Sequence, residues 1–168
     1  RVGLEKSRNL MTVRIAQKLG LEKIINFSQQ IGIYENPEEL LSISLGSAET
    51  TLLKLVSAYC IFVNGGKKIN PIIIDRIQDV DGKTIYNTEK RYCFNCDKIS
   101  FTGKEIPTIK DNYKQVISPE TSFQITSILE GVIDRGTGKK LNDINLELAG
   151  KTGTTNKNTD TWFIGYNS

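Results

Sequence analysis

The segment from which the architecture can be read is Leu148-Ala149-Gly150-Lys151-Thr152-Gly153-Thr154-Thr155. Close behind it comes a second segment of alternating apolar residues, Trp162-Phe163-Ile164-Gly165-Tyr166. Threonine, isoleucine and aromatic residues favour extended backbone over helix. The two segments therefore predict neighbouring strands, and the first carries a lysine, three hydroxyl groups and two glycines on nearly consecutive positions.

The first predicted strand has the features of a site for an extended peptide. Side chains alternate along a strand, so Lys151 and Gly153 share one face, while Thr152 and Thr154 share the other or lie along the exposed edge. Gly153 lets a backbone or ligand approach closely, and an edge strand offers unpaired N–H and C=O groups. We expect a peptide beside this strand, its carboxylate bound by the lysine and the threonine hydroxyls. An ordinary edge strand with a solvated lysine is the alternative from these residues alone.

Gly150-Lys151-Thr152 also resembles the end of a phosphate-binding loop. That motif needs a glycine five positions earlier and a helix that begins at the lysine. Position 145 is asparagine, and the residues after the lysine favour a strand. We therefore reject a nucleotide site.

The composition limits the classes of function that the chain can have. It has 168 residues, of which 38% are hydrophobic and 24% charged, as in one globular domain. A net charge of +3 is too small to predict a nucleic-acid partner. No apolar run is long enough to span a membrane and no signal peptide opens the chain, so we expect any anchor to lie outside this segment.

The chain contains no histidine, which excludes a Ser-His-Asp or Cys-His mechanism within it and removes the commonest metal ligand. Of the three cysteines, Cys60 belongs to an apolar helix and is predicted to be a small core residue. Cys93 and Cys96 lie in a polar loop, where we expect a local disulfide in an oxidising compartment and free thiols in a reducing one. Three cysteines do not make a structural zinc site, and the sequence predicts no metal or cofactor.

The rest of the chain predicts mixed α and β structure. Apolar periodicity predicts helices over residues 10–19, Leu21–Ile31 and, as a buried central helix capped by Ser47, residues 47–63. Residues 42–46 are expected to be extended or a loop, residues 71–86 a β-hairpin, and residues 87–115 an irregular surface insertion. Ser118-Pro119-Glu120 marks the start of a further helix. Ser7 and Asn9 stand at the entrance of the first helix, where such residues are usually caps.

Two motifs together give a more specific result. Lys151-Thr152-Gly153-Thr154-Thr155 with residues 162–166, and Glu5-Lys6-Ser7-Arg8-Asn9-Leu10 upstream, resemble two of the three signature motifs of the penicillin-binding transpeptidases. Segments within residues 45–66 and Arg135-Gly136-Thr137-Gly138 resemble the class A, bifunctional proteins of the 1A type. The resemblance spans nearly the whole chain. It implies an α+β fold with an antiparallel sheet flanked by helices and an all-helical lobe, as in penicillin-binding proteins and serine β-lactamases.

The resemblance also implies roles for individual residues. Ser7 would relay a proton to the departing amine, and Asn9 would bind the substrate's peptide and orient the catalytic lysine. Lys151 would help to bind the terminal carboxylate, together with the hydroxyls of Thr152 and Thr154. The backbone N–H of Thr154 would be one of two oxyanion-hole donors. Gly153 and Thr155 complete the implied substrate-binding strand.

One family motif is missing. The nucleophile of these enzymes lies in a Ser-x-x-Lys motif, and no serine in this chain has a lysine three positions later. The resemblance therefore implies that residues 1–168 are the C-terminal-side part of a single transpeptidase domain, incomplete at both ends, with the serine before Arg1. Alone, this part is expected to be inactive.

The implied function is peptidoglycan cross-linking through a serine acyl-enzyme, with stem peptides as substrates, β-lactams as inhibitors and links to cell shape and antibiotic resistance. The implied location is the periplasmic face of the inner membrane. Two alternatives stay open: a non-catalytic module that binds cell-wall peptide or partner proteins, and a serine β-lactamase, for which no deacylating carboxylate has a recognisable signature.

Overall fold

The computed structural model describes residues 1–88, 92–94, 108–155 and 159–167. The chain divides into two compact units, one formed by Arg1–Ile69 with Gln115–Ser168, and the other by Asn70–Lys114. None of the helices in the described ranges has both the length and the apolar character needed to cross a membrane.

The helices and strands follow one another in a mixed order. The α-helices are α1 (Val2–Glu5), α2 (Asn9–Leu19), α3 (Leu21–Ile31), α4 (Leu52–Val63) and α5 (Pro119–Asp134), with 3₁₀ helices at Leu41–Leu45 and Lys139–Ile144. The strands are β1 (Lys67–Lys68), β2 (Arg76–Gln78), β3 (Thr84–Asn87), β4 (Tyr92–Phe94), β5 (Thr108–Lys110), β6 (Lys114–Gln115), β7 (Leu148–Thr154) and β8 (Thr161–Asn167).

The first unit is organised around α5 and the antiparallel pair β7–β8. Leu129 and Val132 of α5 pack with Ala149 of β7 in a buried cluster, which Tyr59, Phe62, Ile125 and Tyr166 border. Burying a side chain the size of Leu129 or Val132 contributes roughly 1.5–3 kcal/mol. In the β7–β8 register Lys151 lies opposite Ile164, and Gly153 opposite Trp162. Because α5 covers one side of β7, the lysine-bearing strand has a defined position relative to the end of α5.

A second buried cluster joins α3 and α4. It contains Ile31, Ala58 and Ile61, with Ile33, Val116 and Ile117 packed against it. Gly32, in the left-handed conformation at φ 85°, ends α3, as the sequence predicts.

Several predictions about helices are confirmed. The helix over Leu21–Ile31 has the predicted bounds, and α2 begins at Asn9, one residue before the predicted start. The Ser118 side chain accepts a hydrogen bond from the Thr121 N–H, and Pro119 occupies the first turn of α5. Leu129, Val132 and Ile133 of its predicted apolar stripe are buried.

The prediction for residues 47–63 is wrong in two respects. The helix begins at Leu52, because the Thr51 hydroxyl accepts the Lys54 N–H and caps it there. It is also not buried all round: Ala58 and Ile61 are buried, whereas Leu52 and Leu53 are 58% and 56% exposed. The apolar packing of α4 within the described residues covers only one side of the helix.

Residues 42–46 were expected to be extended or a loop, but they belong largely to the 3₁₀ helix Leu41–Leu45. The Ile43 N–H donates to the Leu40 carbonyl at 3.0 Å, and the Ser44 hydroxyl donates to the Leu41 carbonyl at 2.7 Å. Ile43 is thereby buried. Local hydrogen bonds and the buried Ile43 side chain stabilise this 3₁₀ helix.

The second unit contains the predicted hairpin in a shorter form. β2 and β3 pair antiparallel, with Ile77 opposite Tyr86, but residues 71–74 lie outside the strand. Pro71 lacks the N–H that a strand ladder needs. Within residues 87–115, β4 and β5 pair antiparallel, so this segment is not wholly irregular. Most of residues 87–115 lie outside the described residues, so the surface insertion stays a prediction, as does the pairing of Cys93 with Cys96. Cys60, which was predicted to be a core residue, is only half-buried.

Candidate active site

Two side chains from opposite ends of the chain meet at the centre of the site. The Lys151 Nζ donates a hydrogen bond to the Ser7 Oγ at 2.6 Å, although 144 positions separate the two residues. The same ammonium donates to the Thr152 carbonyl oxygen at 2.8 Å. The structure therefore brings together the two residues that carry the two motifs.

Ser7 reaches this position through an unusual backbone conformation. Its φ of 53° lies in the left-handed region, which costs a non-glycine residue roughly 1–2 kcal/mol. The turn that contains it is closed by hydrogen bonds from the Ser7 N–H to the Leu4 carbonyl at 3.1 Å and from the Arg8 N–H to the Gly3 carbonyl at 2.7 Å. These bonds hold the serine between α1 and α2.

The expectation that Ser7 and Asn9 cap the helix predicted over residues 10–19, which is α2, is wrong. The N-cap residue of α2 is Arg8, and its side chain makes no capping hydrogen bond. The Ser7 hydroxyl accepts from Lys151 instead, and Asn9 is the exposed first residue of α2, two positions along. Ser7 thus has the sequence context of a helix cap but makes a long-range contact with Lys151.

Lys151 is half-buried on β7, and this burial lowers the pKa of its ammonium group. Both oxygens that accept from it are uncharged. Among the residues that the structure describes, no carboxylate lies within ion-pair distance of it. Its positive charge is therefore balanced by no neighbouring acid in this part of the chain, which suits an anionic ligand.

Thr137 is a site residue to which the sequence assigned no role. Its hydroxyl lies 2.6 Å from the Thr152 hydroxyl, so one of the two donates to the other. Thr137 belongs to the Gly-Thr-Gly segment that follows α5, and its N–H donates to the Glu5 carbonyl at 3.2 Å. The Gly-Thr-Gly segment is the sequence feature that could have indicated Thr137. Its position beside β7, however, depends on the packing of α5.

The remaining residues of the strand motif lie at its exposed end. Among the described residues, a Cβ at Gly153 would have only the Trp162 Cβ within 4 Å, at 3.9 Å, so the surface formed by those residues is open there. Thr154 is the last residue of β7 and lies opposite Thr161. Thr155 follows the strand, and its hydroxyl accepts the Asp160 N–H at 2.9 Å within the β7–β8 turn.

Next to the Ser7 turn lies an ion pair that the sequence did not predict; its Glu5 carboxylate is buried, whereas the Arg135 side chain is 46% exposed. Glu5 is only 2% exposed, and Arg135 contacts both of its carboxylate oxygens, Nη2 to Oε1 at 2.6 Å and Nε to Oε2 at 3.1 Å. Arg1 Nε also donates to Oε1, at 2.9 Å. These contacts, with the Arg135 bonds largest, lower the pKa of the Glu5 carboxyl. We refer to the Glu5–Arg135 contact as the clamp.

Comparison with known proteins identifies the family. A family profile described as the penicillin binding protein transpeptidase domain matches residues 1–168. The chain belongs to the penicillin-binding protein transpeptidase family. The family resemblance inferred from the two motifs is thus confirmed.

Relatives in this family align over the entire chain. It is 45% identical to penicillin-binding protein 1A of Rickettsia prowazekii over 170 residues, which is 99% of this chain and 21% of that protein. It is 32% identical to penicillin-binding protein 1A of Pseudomonas aeruginosa over 205 residues, covering 100% of this chain and 24% of the relative. The chain spans about a fifth to a quarter of the length of these penicillin-binding proteins.

Solved structures agree on the fold. The crystal structure of penicillin-binding protein 1A from Haemophilus influenzae superposes with a TM-score of 0.79 at 32% identity, over 98% of this chain and 28% of that one. The imipenem acyl-enzyme of penicillin-binding protein A from M. tuberculosis gives 0.70 at 16% identity, over 98% and 38%. The chain has the mixed helix and strand fold of penicillin-binding protein transpeptidase domains, as the sequence predicts.

Proposed function

We propose that residues 1–168 form the C-terminal-side part of a serine D,D-transpeptidase domain that cross-links peptidoglycan. The attacking serine would lie outside these residues, since they contain no Ser-x-x-Lys motif. The observation that carries the proposal is the 2.6 Å contact between Lys151 Nζ and Ser7 Oγ beside an open strand end. Membership of the family supports the reaction class.

The chemistry would consist of two acyl transfers. The serine Oγ attacks the carbonyl carbon of the penultimate D-Ala of a stem peptide, the C–N bond breaks, and the terminal D-Ala leaves as an amine. An amine on a neighbouring strand then attacks the ester and releases the serine. Each step needs a proton to be moved, and a hydroxyl with a lysine can do this in a chain without histidine.

Ser7 and Lys151 suit the proton transfer to the departing amine. The Ser7 hydroxyl accepts from the Lys151 ammonium, so it can donate its own proton to the leaving nitrogen while the ammonium stabilises the resulting charge. Burial lowers the Lys151 pKa, which eases the return of a proton from the ammonium to Ser7. Asn9, two residues beyond Ser7, would bind the peptide and orient the catalytic lysine.

The strand β7 would hold the substrate. Lys151 and the hydroxyls of Thr152 and Thr154 would bind the terminal carboxylate, and the open surface at Gly153 would admit the peptide backbone. The Thr154 N–H would donate to the oxyanion, a kind of contact whose loss costs roughly 2.7–4 kcal/mol in barrier height. Thr155 would shape the end of the strand through its bond to Asp160.

β-Lactams would acylate the same serine, and the site would lie on the periplasmic face of the inner membrane, with the anchor outside residues 1–168. The direct test is labelling of the full-length protein with a fluorescent penicillin. We expect Lys151→Ala to slow labelling by at least about tenfold, the rate equivalent of 1.4 kcal/mol. Lys54→Ala is the matched control, since Lys54 pairs with the exposed Glu35 at 2.6 Å. Equal labelling of both variants would contradict the assigned role of Lys151.

The release rate of the label separates this function from that of a serine β-lactamase. Slow release, over a time much longer than labelling, is expected of a transpeptidase that uses an amine as its acceptor. Rapid turnover of penicillin would instead favour the β-lactamase.

The absence of the nucleophile motif from all 168 residues favours one further candidate, a non-catalytic module that binds cell-wall peptide. Calorimetry of the isolated chain with a D-Ala-D-Ala peptide tests it, after circular dichroism has verified folding. Measurable affinity without acylation supports the non-catalytic module. No binding supports the interpretation of the chain as part of a transpeptidase domain.

A further inference from the structure

The clamp contains a buried charge, the Glu5 carboxylate, close in sequence to Ser7 of the candidate site. The Glu5 carboxylate is 2% exposed, lies two residues before Ser7, and pairs with an arginine 130 positions away. Removing the Glu5 carboxylate from water is costly, and because the Arg135 side chain is 46% exposed, water weakens the attraction that offsets this cost. Stability alone is therefore a weak reason for a glutamate at this position.

What a bidentate pair does supply is orientation. Two parallel bonds from the planar guanidinium fix both the position and the plane of the carboxylate. Gly131 of α5 makes room for it, because a Cβ there would collide with the Glu5 Oε1. Gly136 likewise admits the Glu5 carbonyl. The C-terminal end of α5 and the segment after it are thus shaped to receive this one residue.

Backbone contacts strengthen the same connection. The Glu5 carbonyl accepts the Thr137 N–H at 3.2 Å, and the Lys6 Nζ donates to the Arg135 carbonyl at 2.5 Å. Residues 5 and 6 are therefore attached to residues 135–137 by side-chain and main-chain bonds. Ser7 is the next residue on one side, and Thr137 contacts Thr152 on the other.

These contacts explain how Ser7 is held in an unfavourable conformation. Its φ of 53° has a conformational cost that its own turn must overcome, and this turn, closed between Gly3 and Arg8, contains the clamped Glu5. If the clamp is broken, the serine can relax to an ordinary backbone region, and its hydroxyl leaves the Lys151 ammonium. The clamp touches neither Ser7 Oγ nor Lys151 Nζ, so its effect on them is indirect.

We propose that the Glu5–Arg135 ion pair is a positioning device that holds the Ser7 hydroxyl against the Lys151 ammonium. The proposal rests on the proposed function, in which this hydroxyl and ammonium move the proton during acyl transfer. Glu5 and Arg135 are positioning residues for that reaction, and Thr137 N–H provides the main-chain part of the same connection.

The test uses the full-length protein with Glu5→Gln and Arg135→Lys, which keep the size of the carboxyl group and the positive charge, respectively. The matched control is Glu35→Gln, which removes an exposed pair, Lys54 with Glu35 at 2.6 Å, elsewhere in the same unit. The second-order rate of acylation by a fluorescent penicillin is measured across pH, together with thermal stability. We expect a loss of about tenfold to a hundredfold in both clamp variants, since small misplacements of catalytic groups have effects of this size. The control should stay near the wild-type rate.

A double-mutant cycle with Ser7→Ala separates positioning from a general loss of structure. If the clamp acts through the Ser7 hydroxyl, Glu5→Gln should have little further effect in the Ser7→Ala background. Fully additive losses would overturn the proposal. The pH profile gives a second criterion, because a displaced Ser7 exposes Lys151 to water, which should move the alkaline limb of the rate upward in the clamp variants.

The outcomes distinguish the two proposals. A wild-type protein that penicillin does not label overturns the proposed function and this inference with it. A labelled wild type, with clamp variants that react as fast as the control, overturns this inference alone. Unfolding of both clamp variants would also contradict it, because that result assigns the pair to stability rather than to positioning.

Discussion

Thr137 and Thr152 share a hydrogen bond between their hydroxyl groups, with 2.6 Å between the oxygens, and this bond joins the segment after α5 to the lysine-bearing strand. Thr137 also donates its N–H to Glu5, next to the Ser7 turn. Three segments therefore converge at one threonine. Thr152 is implied to bind the substrate carboxylate, so the orientation of its hydroxyl depends on a residue 15 positions earlier.

Thr137→Val should weaken the site without changing its shape. The substitution removes the hydroxyl and leaves Thr152 without this partner, and an internal hydrogen bond contributes about 1 kcal/mol. We expect the acylation rate of the full-length protein to fall about fivefold, by the equivalence of 1.4 kcal/mol to a factor of ten. Thr137→Ser retains the hydroxyl and is the control; a similar loss in both variants would contradict the assignment of the effect to the hydrogen bond, because Thr137→Ser can still form it.

Gly131→Ala should destabilise the protein. A Cβ on this face of α5 would collide with the Glu5 carboxylate and with the Arg135 guanidinium. Overpacking at a buried position typically costs 1–3 kcal/mol, so we expect about that loss in the free energy of unfolding by denaturant titration. Gly153→Ala is the control for stability, because a Cβ there would meet only Trp162 among the residues that the structure describes. Equal stability of the two variants would mean that the clamp yields to the added methyl group.

The acylation rate should fall at alkaline pH earlier than an ordinary lysine would require. Burial lowers the Lys151 pKa, so the charged form that binds a carboxylate is lost below the pH at which an exposed lysine titrates. Between the lowered pKa of Lys151 in the folded protein and its ordinary pKa in the unfolded chain, the unfolded chain binds more protons than the folded one. Titration of Lys151 therefore increases the free energy of unfolding as pH rises through this range. A pH–rate profile of Lys151→Arg, which stays charged, should lack this alkaline limb. An unchanged limb would assign it to another group.

The isolated 168-residue chain should not form an acyl-enzyme with penicillin. It contains no Ser-x-x-Lys motif, and Ser7 is engaged with Lys151 rather than with a general base. Intact-mass spectrometry after exposure to penicillin measures this directly, and the full-length protein provides the positive control. An added mass of one penicillin on the isolated chain would show that a residue within it is the nucleophile.

Local sequence was enough to predict the elements whose ends and faces depend on neighbouring residues. Gly32 ends α3, and Ser118 with Pro119 starts α5, because caps and turn residues act within one helical turn. Threonine and aromatic content likewise predicted β7 and β8. The two motifs also identified the family and named Ser7 and Lys151 as candidate site residues.

Other features were decided by packing between distant segments. Ser7 has the local setting of a helix cap, yet it accepts from Lys151 because the clamp and α5 bring residues 5–7 to β7. The role of Thr137 and the uncovered side of α4 have the same origin. Capping and periodicity report on interactions within a few positions, whereas a contact across 130 or 144 positions exists only after the helices and the sheet have packed.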